Sequence, residues 1–312
     1  MKQSLLVSIC IPTYQRPHLL EQAIESCLNQ TYSPIQIVVS DDSQNGATEN
    51  LVLEKYKDIP IKYRHNSPPL GQAKNVNQLF DMADGDRLVL LHDDDILLPN
   101  ALQIMDQVWQ NNPGLTVCYG KQVVVNDEGK LLEELTNNAN THYYRTADRV
   151  GYQPSELFAA LTQQMPNDGF MVLTTAARSV RMNEGQEIGG ICDQEFSIRM
   201  ATHHKGFFFV DDFTVHYRLN SSSLTSKGVD VHFSFKLLEK LDLPDELDCI
   251  RNNKLRQLAP VAVTRWLSTG DNRSARHVYF SRYYPLIQRV SLKGIAQLFL
   301  LIAPPFILKR LL

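Results

Sequence analysis

Apolar residues in the first hundred positions fall into short solid runs separated by stretches with helical spacing. Residues 5–11 form the first run, which Pro12 stops. Leu19, Leu20, Ala23, Ile24, Cys27 and Leu28 then recur on one helical face, with Pro17 near the first turn, where its missing N–H costs nothing. Residues 35–39 make a second buried strand, ending at the turn-rich Asp41-Asp42-Ser43-Gln44-Asn45-Gly46. A helix is expected over 51–56 and a short strand over 61–63. A third helix is expected over 71–83, with Ala73, Val76, Leu79 and Phe80 on one side. Residues 87–91 predict a strand that runs into His92-Asp93-Asp94-Asp95, ahead of a helix from Pro99. Strands that are apolar throughout, alternating with helices, predict a mainly parallel sheet covered on both faces. Beyond residue 225 the pattern is helical.

Polar clusters sit at the C-terminal ends of three of these strands, where open α/β sheets bind ligands. They are Thr13-Tyr14-Gln15-Arg16, Asp41-Asp42, and the aspartate triplet. Three adjacent carboxylates after an apolar strand repel one another and lose solvation, so something must offset their charge. A hard divalent cation holding a diphosphate would do so, since magnesium and manganese take one or two protein carboxylates and leave positions for phosphate oxygens. A solvated acidic turn is the plainer reading, and the triplet taken alone does not separate the two.

Composition narrows the class. The 312 residues suit one large domain, or one with an appendage, and 43% hydrophobic with 21% charged residues is ordinary for a globular protein. A formal charge of -3 carries no footprint of bulk nucleic-acid binding. The five cysteines are scattered, with no C-x-x-C pair, which argues against a disulfide framework or a zinc site and points to a reducing compartment. The apolar start at 7–11 is too short for a signal peptide, so a cytoplasmic location is expected.

Four segments together resemble the family 2 glycosyltransferases: Val7-Ser8-Ile9-Cys10-Ile11-Pro12-Thr13-Tyr14-Gln15-Arg16, Ser26-Cys27-Leu28-Asn29-Gln30-Thr31-Tyr32, the strand and turn over 37–43, and the segment 90–99. The resemblance covers roughly residues 4–220 and rests on the order of the four motifs. It implies a GT-A fold, a Rossmann-like α/β nucleotide-binding domain, and an inverting transfer of sugar from a nucleotide-diphosphate donor. Carried over, it places Pro12, Tyr14 and Arg16 in the nucleotide pocket and gives Asp42 the uracil N3–H, hence a UDP-sugar. Lys74 and Asn75 would lie near the donor. Asp94 falls on the last acid of the family's D-x-D and is the first metal ligand, for Mn2+ or Mg2+. His92 stands where the first acid is usual, so Asp93 or Asp95 would supply the second contact. His216 lies where relatives often place a residue near the diphosphate and is a further metal-ligand candidate, and Asp168-Gly169 lies where they keep acceptor-side residues.

The segment Gly189-Gly190-Ile191-Cys192-Asp193-Gln194-Glu195-Phe196-Ser197-Ile198-Arg199 resembles the family's E-D-x-[DE]-[FLW]-x-x-R, with Cys192 in place of the usual Glu. It makes Asp193 the catalytic base. An inverting transfer needs one carboxylate to accept the acceptor hydroxyl's proton, with charge stabilisation at the leaving diphosphate. Otherwise Asp193 is a helix N-terminal charge, and Arg199 a buttress. Arg265-Trp266 lacks the glutamine of the Q-x-x-R-W motif, because Ala262 stands there, which favours a single-addition enzyme with Trp266 in the core.

Residues 1–225 are expected as the catalytic domain, 226–290 as a helical extension, and 291–312 as an apolar segment flanked by Lys293, Lys309 and Arg310. Its apolar stretch is too short to span a bilayer, so it predicts docking on the inner membrane face, with packing or an oligomer contact as the other reading. A glycan or lipid-linked acceptor would suit such a location, and the polar loop 221–226 could close over the donor. Two other classes fit parts of the pattern: an inert nucleotide-sugar-binding protein of the same fold, and a sugar nucleotidyltransferase. The second would carry a glycine-rich loop that residues 11–16 lack.

Overall fold

Strand-forming runs and amphipathic helices alternate from the first residues onward, and their order builds the sheet. The computed structural model describes residues 5–185, 188–219 and 231–302. Strand β1 (Val7–Thr13) leads to helix α1 (Pro17–Leu28), β2 (Ile35–Asp41), the short α2 (Ala47–Asn50), β3 (Ile61–His65), α3 (Gln72–Met82) and β4 (Arg87–Leu90). Residues 51–56, expected as a helix, continue α2 as a widened π turn over Leu51–Lys55. After β4 come β5 (Ile96–Leu97), α4 (Ala101–Asn111), β6 (Val117–Val125), α5 (Glu133–His142), β7 (Gly151–Tyr152), α6 (Glu156–Leu161), β8 (Met171–Leu173), α7 (Thr174–Val180), α8 (Cys192–His203) and β9 (Phe207–Arg218).

Among the described residues nine strands form one sheet in the order β3-β2-β1-β4-β8-β6-β9-β5, with β7 also on β9. The four strands β3, β2, β1 and β4 are parallel, as the buried runs predict, and β6 pairs β9 in parallel. Strands β8, β5 and β7 join antiparallel. Parallel pairing in register aligns the carboxyl ends of β1 and β2, with Thr13 opposite Asp41, and β4 ends beside Cys10. Three polar turns therefore emerge at one end of the sheet.

Both faces are packed. Ile9, Ile11, Val39 and Val89 meet Leu20 and Ile24 of α1 and Leu102 and Met105 of α4 on one side. On the other, Phe80 of α3 and Phe170 flank Phe196 of α8, at ring separations of 5.8 and 6.3 Å. One ion pair is sunk in this core: Arg87 reaches Asp106 at 2.8 Å and lies over the Trp109 ring. Removing one partner of such a pair leaves a buried charge alone. Asp106→Ala is therefore expected to cost about 3–5 kcal/mol, read as a lowered midpoint in urea denaturation with the slope unchanged.

The chain divides into two compact units: Met1–Glu184 with Cys192–Ser223, and Gly185–Ile191 with Leu224–Leu312. The first carries the sheet. The second is helical, with α9 (Val231–Lys240), α10 (Asp245–Ser268), α11 (Asn272–Phe280), α12 (Leu286–Arg289) and α13 (Leu292–Ile302). Trp266 is buried there, edge-on to Phe235 and His232, so it packs as the sequence predicts. Helix α13 packs on α10, α11 and α12. The loop 221–226 and residues 303–312 of the C-terminal segment lie outside the described residues.

Candidate active site

Strand β1 runs through Pro12, which stays in register with Ser40, to Thr13, and the turn at Gln15 follows. Gln15 takes φ 55°, a left-handed conformation that non-glycine residues adopt rarely, and its N–H donates to Ser43 Oγ at 2.7 Å. This turn sends Arg16 across to the aspartates after β4. Its guanidinium holds both Asp93 oxygens and reaches Asp94 Oδ2 at 2.7 Å. The Thr13 hydroxyl donates to Asp93 Oδ2 at 2.7 Å. Asp93 is thus fully engaged, and burial pushes its carboxyl up to about 6 against the pull of Arg16. Pro12 and Tyr14 flank the same turn, Tyr14 exposed at its rim.

Asp95 is held differently. Its Oδ1 accepts the Arg218 backbone N–H at 2.7 Å, while Oδ2, buried, has no hydrogen-bond partner and lies 3.9 Å from His92 Nδ1. Burial raises its carboxyl well above the usual range, and the neighbouring Asp168 and Asp94 charges push the same way. Among the described residues His92, Asp94 and Asp95 form a group whose ligand atoms all lie within 4.8 Å of one another. These three are the described side chains that could hold a divalent cation. His216 is not in that group. It stands two residues before Arg218 on β9, opposite Ile96.

Arg218 has no part in the resemblance, yet it fixes this turn. Its guanidinium donates to the Asp94 carbonyl at 2.9 Å, to the Asp127 carbonyl at 2.6 Å and to Gln22 Oε1 at 2.9 Å. Asp168 supports the other side, accepting from the His92 N–H at 3.3 Å and from Gln122 Nε2 at 3.2 Å. Gln122 in turn accepts from the buried Arg145, whose guanidinium burial pulls down to about 10. Gly169 follows Asp168 at φ +71°, where a Cβ would sit 3.1 Å from Val215, so a side chain at this turn would be strained.

At the end of β2, Asp42 is buried and accepts three hydrogen bonds: from Asn66 Nδ2 at 2.9 Å, Leu70 N at 3.1 Å and Gly71 N at 2.8 Å. It anchors the loop before α3, and Gly71 at φ +84° supplies the conformation that aims its N–H at the carboxylate. A carboxylate has about four acceptor positions, so one remains. Asn75 joins this network through Asn66, at 3.2 Å. Lys74 does not: it lines a cleft of about 460 Å³ with Arg64, Asn77, Gln78, Asp81 and Arg181.

Asp193 stands in the first turn of α8, partly exposed, and accepts the Gln194 N–H at 2.8 Å. Burial raises its carboxyl, and it lies within electrostatic reach of His92 and Asp168. Arg199 buttresses the helix: it clasps the Glu195 carboxylate at 2.5 and 2.7 Å and donates to the Val180 and Arg181 carbonyls.

A mainly parallel sheet with polar turns converging at its carboxyl edge is the architecture of the GT-A fold. The chain belongs to glycosyl transferase family 2, whose family model matches residues 8–178. It is 36% identical over 132 residues to the GalNAc(5)-diNAcBac-PP-undecaprenol beta-1,3-glucosyltransferase of Campylobacter jejuni, covering 42% of each chain. The match spans less than half the length of the first curated relatives, 36% and 42%. In fold it is similar to S. aureus TarS 1-349 in complex with UDP, with a TM-score of 0.58 and 16% identity over 94% of this chain and 78% of that one. It is likewise similar to mannosyltransferase PcManGT from Pyrobaculum calidifontis in complex with GDP-Man and Mn2+, with a TM-score of 0.59 and 14% identity over 96% and 86%. At these identities the two solved structures bear on the fold alone.

Proposed function

We propose that the protein is an inverting, metal-dependent glycosyltransferase that moves a sugar from a UDP-sugar to a hydroxyl of a glycan or lipid-linked acceptor. The cluster of His92, Asp94 and the buried Asp95 carries this reading, because carboxyls crowded together with Asp168 call for an opposite charge among them. Asp94, Asp95 and His92 would hold the ion. When bound, it would spread the charge of the departing diphosphate. An imidazole donor favours manganese over magnesium, whose ligands are oxygens.

The protein's own groups supply the rest. Arg16, braced by Asp93, presents a fixed guanidinium at the edge of the cation turn, suited to a phosphate oxygen. Asp42 offers its remaining acceptor position to the uracil N3–H, and Tyr14 an exposed ring at the base. Asp193 accepts the proton of the acceptor hydroxyl as that oxygen attacks the anomeric carbon, and the raised carboxyl suits a base working near neutral pH. The relative from Campylobacter, named for an undecaprenol-linked substrate, supports the lipid-linked acceptor class.

The raised carboxyls have a consequence with a definite sign. Between the ordinary range near 4 and about 6, the folded protein keeps a proton on Asp93 that the unfolded chain has released, and Asp95 is raised in the same direction. The metal-free protein therefore loses stability as pH rises through that window, by on the order of 1–3 kcal/mol. Cation binding needs the deprotonated carboxylates, so the gain in melting temperature from Mn2+ is expected to be small at pH 5 and to grow to pH 7. A gain independent of pH would contradict the donor assignment.

A further inference from the structure

The helical unit ends in a surface whose polarity is reversed. Helix α13 turns Gly294, Gln297 and Leu301 inward. Gln297, its only amide side chain, is buried. It donates to the Pro260 carbonyl at 2.8 Å and to Thr264 Oγ1 at 2.7 Å, and accepts from the Tyr284 hydroxyl at 2.5 Å. Its outward side carries Leu292, Ile295 and Phe299. Leu286, Ile287 and Val290 extend the apolar surface from α12, and all six are between 49% and 89% exposed. A helix facing water puts its polar residues outside. Here the amide is inside and the large apolar residues are out, concentrated in fourteen positions rather than scattered as single surface residues are.

Charge says what would cover this face. From Asn272 to the end of the sequence there are seven Lys and Arg and no Asp or Glu, whereas the preceding 271 residues carry 24 against 34. Arg282 and Lys293 are exposed beside the apolar residues. A second copy of the chain laid on this face would bring like charges together. A bilayer with anionic headgroups would take both the apolar side chains and the cations. No helix among the described residues is long and apolar enough to cross a membrane, so the contact is with one leaflet.

We propose that α12 and α13 form a membrane-docking surface that lies in the interface of an anionic bilayer, with Leu286, Ile287, Val290, Leu292, Ile295 and Phe299 inserted. The proposal stands apart from the donor chemistry and is tested without it. The full chain is floated with phosphatidylcholine vesicles and with vesicles also containing phosphatidylglycerol, beside I287E/V290E and R282E/K293E. Melting temperature and mass by light scattering are followed for each. The wild type is expected to float with the anionic vesicles and much less with the neutral ones. I287E/V290E should bind about ten-fold less or worse at an unchanged melting temperature, since both positions face solvent. R282E/K293E should lose the preference for anionic lipid. Wild type that stays with the soluble fraction throughout, or variants that float equally well, would overturn the proposal. So would a wild-type dimer that I287E/V290E splits and no vesicle captures.

Discussion

Asp193→Asn is expected to lower acceptor-dependent turnover by about 10²–10⁴-fold, the usual contribution of a positioned general base. The substitution is isosteric and keeps an oxygen for the Gln194 N–H, so α8 should start as before. Its helix-dipole contribution is worth only about 0.3–1 kcal/mol. Affinity for UDP should therefore stay near the wild-type value while the rate falls. Release of UDP from a UDP-sugar, measured with and without acceptor, reads the two apart. Turnover that survives intact would return Asp193 to the role of a helix N-terminal charge.

Asp95→Asn is expected to act in opposite directions with and without metal. In the metal-free protein it replaces a buried carboxyl, crowded by the Asp168 and Asp94 charges, with a neutral amide that keeps an acceptor for the Arg218 N–H, so the melting temperature should rise. In the presence of Mn2+ the wild type gains stability from a ligand that binds only the folded state. The variant should lose that gain, with cation affinity down by about 100-fold, at the upper end of what removing even an outer-shell group costs a metal site. A variant less stable than wild type without metal would mean that Asp95 serves the fold rather than a cation.

Strands β1, β2 and β4 and their polar ends were legible because each is a local event: an apolar run, then a turn. The resemblance added order to those turns, and the family assignment follows it. What stayed hidden depends on distance along the chain. Arg218 meets Asp94 and Gln22 across separations of 124 and 196 residues, so no periodicity could mark it. Strand β5, two residues long, exists only through its pairing with β9. Asp42 illustrates a different gap. Its position at the strand end was evident, but its three donors from the 66–71 loop were not, since they depend on how that loop closes. Lys74 and Asn75 are adjacent in sequence yet differ in their surroundings, one lining an outer cleft and one joining the Asp42 network. Helical spacing separates neighbours by about 100°, which could have warned against treating them as a pair.

Isothermal titration of UDP into the wild-type protein, once in Mn2+ and once in EDTA, is the most direct trial of the turn formed by His92, Asp94 and Asp95. The account predicts saturable binding with manganese and a loss of at least about ten-fold, or 1.4 kcal/mol, in the chelator. Equal affinity in both buffers would contradict it, because the diphosphate would then be held without the cation those side chains are arranged to bind.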